Sequence, residues 1–165
     1  QKDIKVCLCR YGNVLESTGS VIPFFKRLLK SGVTQLPVTH ISMTRFLLTL
    51  DDAVDLIEWS YQHDQSHGKI VIPKIKALKI IDLAKSLGKA YGYDDIDINY
   101  TGVRPGEKLH EAMISEPESF RTEDHGQYYM ISDQILRSEG WVFSSDWSLM
   151  ESNETDKFLK DSGVI

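Results

Sequence analysis

Thr101-Gly102-Val103-Arg104-Pro105-Gly106-Glu107-Lys108-Leu109-His110-Glu111-Ala112-Met113 is the stretch around which the sequence is organised. Immediately before it, Asp95 to Tyr100 alternates strictly. Ile96, Ile98 and Tyr100 fall on one face and Asp95, Asp97 and Asn99 on the other, which is the period of a half-buried strand. Pro105-Gly106 is a turn signal that also stops the strand, and Leu109, Ala112 and Met113 recur at helical spacing beyond it. The expected unit is a strand, a tight turn and a new helix, with Arg104 and Glu107 displayed together. A guanidinium offers a planar fork of donors suited to phosphate oxygens, and a carboxylate three residues later accepts from vicinal hydroxyls, so the pair suits a nucleotide. The plainer alternative is a Glu107 that complements the helix N-terminus and an Arg104 that is a solvated surface charge.

Upstream, the elements alternate. Ile4 to Cys9 is a short apolar run, expected to be a buried strand that empties into Arg10-Tyr11-Gly12-Asn13-Val14. Ser20 is an N-cap for a helix with Pro23 in its first turn, Val21, Phe24, Phe25, Leu28 and Leu29 on the buried face, and Gly32 as its stop. The free N–H groups at Ser20 and Val21 form a potential anion site. Leu36 to His40 is an extended segment, and Asp51 and Asp52 open a helix with Ala53, Leu56, Ile57 and Ser60 inward and Trp59 as packing. Gln62 to Gly68 is a polar loop. Its His63 and His67 lack a partner acid or cysteine at metal spacing and are expected to be solvated, so no metal site is assigned. Lys69 to Ile72 is a strand closed by Pro73, and Lys76 to Tyr91 a helix with Ile80, Leu83, Ala84 and Leu87 facing in. Strands alternating with helices at this spacing predict an α/β domain with βα units and parallel pairing. Beyond Glu116 the pattern weakens to an extended Tyr128 to Ser132 and a short helix over Asn153 to Lys160. The aromatics Trp141, Phe143 and Trp147 cover either a core or a partner surface.

At 165 residues the chain fits one domain and can bury a real core. A formal charge of -5 argues against a general nucleic-acid surface, and no apolar run is long enough to cross a membrane. With no signal peptide recognised, the expected address is the cytoplasm. Cys7 and Cys9 make neither a disulfide framework nor a zinc site and are expected to be buried reduced thiols. The chain opens on Gln1 rather than a methionine, as a piece of a longer protein would.

Four motifs, Arg10-Tyr11-Gly12-Asn13-Val14, Gly19-Ser20-Val21-Ile22-Pro23, Met43-Thr44-Arg45-Phe46 and Arg104-Pro105-Gly106-Glu107-Lys108-Leu109-His110-Glu111, stand in order and at plausible spacing. Together they resemble the C-terminal half of inverting UDP-N-acetylglucosamine 4,6-dehydratases, in the polysaccharide-biosynthesis branch of the extended short-chain dehydrogenase/reductase family. The fold implied is α/β: the substrate-binding half of a Rossmann-type domain without its N-terminal dinucleotide-binding motif. Residues 1–131 would be the sugar-nucleotide part and 132–165 a C-terminal extension. By the resemblance, Asn13, Ser20 and Val21 would meet the diphosphate, and Leu36, Pro37, Val38 and Thr39 would lie along the uracil. Arg45 and Arg104 would clamp the phosphates, and Glu107 would take the ribose hydroxyls. Two departures stand out: Glu16-Ser17-Thr18-Gly19-Ser20 replaces the family's usual Gly-Ser-Arg-Gly-Ser, and His40-Ile41-Ser42 its His-Pro-acid.

The family's glycine-rich cofactor turn and its Tyr-x-x-x-Lys pair are not in these residues. In the whole enzyme the resemblance implies that NADP oxidises the sugar at C4, water is eliminated across C5 and C6, and hydride returns at C6 with inversion at C5. No catalytic residue is therefore assigned to this chain. Its expected partners are a UDP-sugar, an N-terminal half or separate chain carrying cofactor and base, and further copies of itself in a homo-oligomer. Two other outcomes use the same clamp: a UDP-sugar 4- or 5-epimerase, and a non-catalytic binding or assembly protein derived from the fold.

Overall fold

The computed structural model describes residues 4–165. In chain order the elements are β1 (Leu8–Cys9), β2 (Asn13–Val14), α1 (Val21–Lys30), β3 (Gln35–Val38), β4 (Thr44–Leu48), α2 (Leu50–Gln62), a single 3-10 turn (Asp64–Ser66), β5 (Ile70–Pro73), β6 (Ala77–Lys79), α3 (Ile80–Ala90), β7 (Asp97–Tyr100), β8 (Ala112–Ile114), α4 (Glu116–Ser119), β9 (Thr122–His125), β10 (Tyr128–Ile131), β11 (Phe143–Ser144) and α5 (Ser152–Asp161). The α/β expectation holds, with mixed pairing. β1 runs parallel to β5, β2 to β4 and β3 to β7, whereas β10 lies antiparallel between β5 and β9, β6 antiparallel to β4, and β11 to β8.

The helices form where caps and apolar periods agree. In α1, Ile22, Phe25 and Leu29 recur at helical spacing and are buried, and Gly32 takes a positive φ of 82° that lets the chain turn away after the last residues of the helix. Phe24, expected on the same face, is 37% exposed. Thr49 opens α2 through a capping box, its Oγ1 accepting from the Asp52 N–H at 3.0 Å while the Thr49 N–H donates to Asp52 Oδ2 at 2.8 Å. Ala53, Leu56 and Ser60 face inward there, but Ile57 joins an exposed ridge with Leu50, Val54 and Tyr61. The helix expected from Lys76 begins only at Ile80. Ala77–Lys79 is instead a strand whose residues pair with Phe46 to Thr44, a long-range pairing that overrides local helical period.

The main core joins α1, α3 and β3 around Phe25, Leu36, Leu83 and Leu87, and Leu159 and Val164 from the C-terminal segment are buried in the same cluster. A second cluster gathers Phe46, Ile72, Met113, Ile114 and Ile131 with Trp141 and Phe143 packed against it, while Trp147 stays exposed. A third, under α2, holds Leu56, Val71, Tyr128 and Met130. His63 is drawn into its margin, stacked on Trp59 at 4.3 Å and edge-on to His125 at 5.1 Å, so it is not the solvated histidine expected from a polar loop. His67 Nδ1 accepts from the Val6 N–H at 3.0 Å, which ties that loop to the segment leading into β1.

The first strand departs most from expectation. Only Leu8–Cys9 pairs, at the edge of the β1-β5-β10-β9 sheet, and Ile4, Val6 and Leu8 are 77%, 56% and 62% exposed rather than buried. Cys7 and Cys9 are free and partly buried, and Cys9 Sγ donates to Ser60 Oγ at 3.3 Å.

Candidate functional site

Parallel pairing of β3 with β7 sends both chains out at one end of their sheet, the end at which ligands collect in α/β folds. Thr39 follows one strand. The other continues through Thr101, whose N–H donates to Val38 O at 3.0 Å, into Arg104–Glu107. There the Glu107 N–H donates to Arg104 O at 3.0 Å, with Pro105 second and Gly106 third at a φ of 81°. That is a type II turn, and only glycine takes the third position without strain. Glu107 Oε2 accepts from the Arg104 N–H at 3.1 Å, so backbone and side chain close the turn from both sides.

No helix follows the turn. Ala112–Ile114 is a strand paired with Phe143–Ser144, and Met113 and Ile114 are buried in the second cluster. The expected helix fails because the partner that extends this segment lies about thirty residues downstream and leaves no local trace. Glu107 therefore has no helix N-terminus to complement.

Nine of the ten residues assigned from sequence line one cavity of about 440 Å³: Asn13, Ser20, Val21, Pro37, Val38, Thr39, Arg45, Arg104 and Glu107. Leu36 does not. It is fully buried in the main core; Val38, on the same face of β3, is buried in that core too but stands two residues nearer the strand end and reaches the cavity wall. Ser20 caps α1 in extended conformation, and its buried Oγ finds no hydrogen-bond partner among the described residues. The first N–H groups of α1 have no intrahelical acceptor, so the wall there is rich in donors. Phe24 and Met43 also line the cavity and were not assigned from sequence. Phe24 carries a signal only in retrospect, as a large aromatic that helical period places inside and the fold leaves out.

Arg45 is the most tethered side chain in this wall. Its Nη1 donates to Thr44 O at 2.7 Å and Leu109 O at 3.2 Å, its Nε lies 3.3 Å from Glu111 Oε1, and its Nη2 lies 3.8 Å from Glu107 Oε1. Only Nη2 remains for a ligand. Arg104 differs, being exposed and with no carboxylate paired to its guanidinium among the described residues. Glu111, another residue missed from sequence, also accepts from Asn13 Nδ2 at 3.4 Å and stands between this cavity and a shallower one of about 350 Å³ lined by Arg10, Tyr11, Gly12, Lys108 and Met113. Arg10 is committed to Glu118 through a two-pronged pair at 2.8 and 3.0 Å, and that guanidinium holds the Glu118 carboxyl down at about 2.

Glu16 stands where the resembled family has glycine, and it adopts a positive φ of 56°, the conformation glycine takes freely. Its carboxylate pairs with Lys26. Gly12 serves a different purpose, since a Cβ there would lie 2.5 Å from Phe46 Cβ; it lets the chain cross closely over β4.

A family model described as polysaccharide biosynthesis protein matches residues 1–133. The chain belongs to that family. Within it, the chain is 39% identical over 160 residues to UDP-N-acetylglucosamine 4,6-dehydratase (inverting) of Campylobacter jejuni subsp. jejuni serotype O:2, covering 97% of this chain and 45% of that protein. It is 40% identical over 131 residues to UDP-glucose 4-epimerase of Rickettsia akari, covering 79% of this chain and 38% of that one. The X-ray structure of Pen from Bacillus thuringiensis superposes with a TM-score of 0.81 at 28% identity, over 95% of this chain and 50% of Pen. The chain thus spans about half the length of the relatives it matches, and its fold is a partial Rossmann-type short-chain dehydrogenase/reductase fold. Among the described residues no helix is long and apolar enough to cross a membrane, and no group of three His, Cys, Asp or Glu side chains is placed to hold a metal.

Proposed function

We propose that this chain is the UDP-sugar-binding portion of a nucleotide-sugar 4,6-dehydratase of polysaccharide precursor biosynthesis, acting in the cytoplasm on UDP-N-acetylglucosamine. The observation that carries the proposal is the convergence of residues from α1, β2, β3, β4 and the Arg104–Glu107 turn on one cavity. The size suits a nucleotide, since small-molecule sites run to about 300–1,000 Å³. Pro37, Val38 and Thr39 flank the base. The N-terminus of α1 and the Arg104 guanidinium neutralise the diphosphate, with Arg45 Nη2 completing the clamp. Glu107 has Oε2 occupied by its own turn, and Oε1, which lies 3.8 Å from Arg45 Nη2, accepts a ribose hydroxyl.

NADP, implied by the family resemblance, does not fit these residues. The loop after β1 carries no glycine-rich cradle, and its Gly12 is packed on Phe46 rather than open to a pyrophosphate. No reaction step is assigned to the cofactor through this chain. What its own residues do is bind and orient the nucleotide, while an N-terminal half supplies cofactor and base. The Rickettsia akari similarity keeps a UDP-sugar epimerase as the second reading, with the same clamp and a different outcome at the sugar.

Calorimetric titration tests the clamp. Arg104→Ala should weaken UDP binding roughly 10- to 150-fold, the equivalent of a lost charge-assisted hydrogen bond of about 1.5–3 kcal/mol. Arg104→Lys should recover part of the loss, because a point charge lacks the fork. Glu107→Ala should erase the preference for UDP over its 2′-deoxy analogue. An unchanged ratio for Glu107→Ala, together with Arg104→Ala within a factor of about three of wild type, would remove the proposal.

A further inference from the structure

Ser145 lies beyond the residues matched by the family model and is fully buried. Its N–H donates to Glu111 O at 2.8 Å, and its Oγ accepts from the Glu111 N–H at 2.9 Å. The same Oγ lies 2.6 Å from Thr44 Oγ1, which lies 2.8 Å from His110 Nδ1. One hydroxyl thus knits together β4, the segment after the Arg104–Glu107 turn, and the loop after β11. Buried polar groups of this kind rigidify a site when all are satisfied and are costly when one is removed.

The network ends on Arg45. Thr44 O and Leu109 O accept from Arg45 Nη1, and Glu111 carries the carboxylate at Arg45 Nε and the acceptor for Asn13 Nδ2. Apart from Glu107, every group that orients the Arg45 guanidinium is bonded to Ser145 or lies within two residues of one that is. We propose that Ser145 is a positioning residue for the diphosphate end of the cavity: it locks Thr44 and Glu111, and through them sets the direction in which Arg45 presents Nη2. The choice of ligand rests on the UDP-sugar reading above; the brace itself does not.

Two readouts on the full chain separate these claims. In nitrogen–proton NMR the Nε–H of a largely buried arginine beside a carboxylate exchanges slowly with water, and its cross-peak is assigned here by its loss in Arg45→Lys. Ser145→Ala should move that cross-peak to the position and exchange rate of a solvent-exposed arginine, and should weaken UDP binding roughly 5- to 30-fold. Glu111→Ala should do the same, and the losses in the double variant should fall short of the sum of the two single ones, because Ser145 acts in part through Glu111. Thr44→Ser, which keeps the hydroxyl, should retain both signals. A cross-peak unmoved in Ser145→Ala overturns the proposal. So does a moved cross-peak with wild-type UDP affinity, or losses that add in the double variant. Should Ser145→Ala fail to fold, Thr44→Val deletes the hydroxyl bonded to Ser145 at nearly constant volume and is judged by the same outcomes. If wild type binds no UDP, the ligand assignment falls while the cross-peak still decides the brace.

Discussion

Arg45 and Leu8 sit in strands of the same fold and could hardly be treated more differently by it. The arginine donates from Nη1 to two backbone carbonyls and has a carboxylate near Nε and another near Nη2. The leucine is 62% exposed on an edge strand, with Val6 and Ile4 beside it equally bare. Polar side chains held by many internal partners mark a region that is finished. Apolar side chains along an open edge mark one that gains from being covered, because unpaired backbone and uncovered hydrocarbon invite another strand or chain. The cavity wall around Arg45 belongs to the first kind and the margin at β1 to the second, in keeping with a chain about half as long as its relatives.

The largest test of this contrast uses a residue that sequence placed in the site and the fold places in the core. Leu36→Ala should lower unfolding free energy by about 2–5 kcal/mol in urea titrations, the range for deleting a fully buried leucine. A loss confined to UDP binding, with stability intact, would return Leu36 to the cavity. Gly12→Ala comes next. Its new methyl meets the Phe46 side chain and carbonyl, so about 1–3 kcal/mol should be lost in thermal unfolding.

The Arg10–Glu118 pair should matter with a definite pH signature. Its contact is two-pronged, but Arg10 is 36% exposed, so solvent screening reduces it and Glu118→Gln should cost about 1–2 kcal/mol at neutral pH. The folded carboxyl is held near 2, below its ordinary 4.5. Its contribution is therefore fully present above about pH 4.5 and disappears as pH falls toward 2, and the gap between wild type and Glu118→Gln should close across that window. A gap that stays constant to pH 3 would show that the pair is not the cause. The smallest stability effect belongs to the edge: Val6→Thr with Leu8→Thr should change unfolding free energy by less than about 0.5 kcal/mol. It should still reduce the self-association of the chain in sedimentation velocity. A wild-type chain that sediments as one monomeric species would mean that the edge does not recruit a partner.

Much of the cavity was legible because its residues come in short local motifs. Arg104-Pro105-Gly106-Glu107 encodes its own turn, since Pro presets one position and Gly frees the next. Asn13, Ser20 and Arg45 each fall in a short contiguous motif, Arg10 to Val14, Gly19 to Pro23 and Met43 to Phe46, and it was the resemblance of those motifs that pointed to them. What could not be read depends on distant pairing. Ala112–Ile114 has the spacing of a helix and becomes a strand because of Phe143–Ser144, and Ala77–Lys79 likewise answers to β4. Glu111 closes a motif and Ser145 lies in none, yet neither showed its role, because that role lies in the residues each touches across the fold.

Leu159 and Val164 carry a practical consequence for anyone who would shorten this chain. A protein cut at residue 133, where the family model stops, would leave α3 facing water over the area that α5 now covers. It would also lose Ser145. Such a truncation should expose apolar surface to proteases and chaperones and loosen Arg45, although every residue that lines the cavity would still be present. The family boundary is a poor guide to where the molecule can be trimmed.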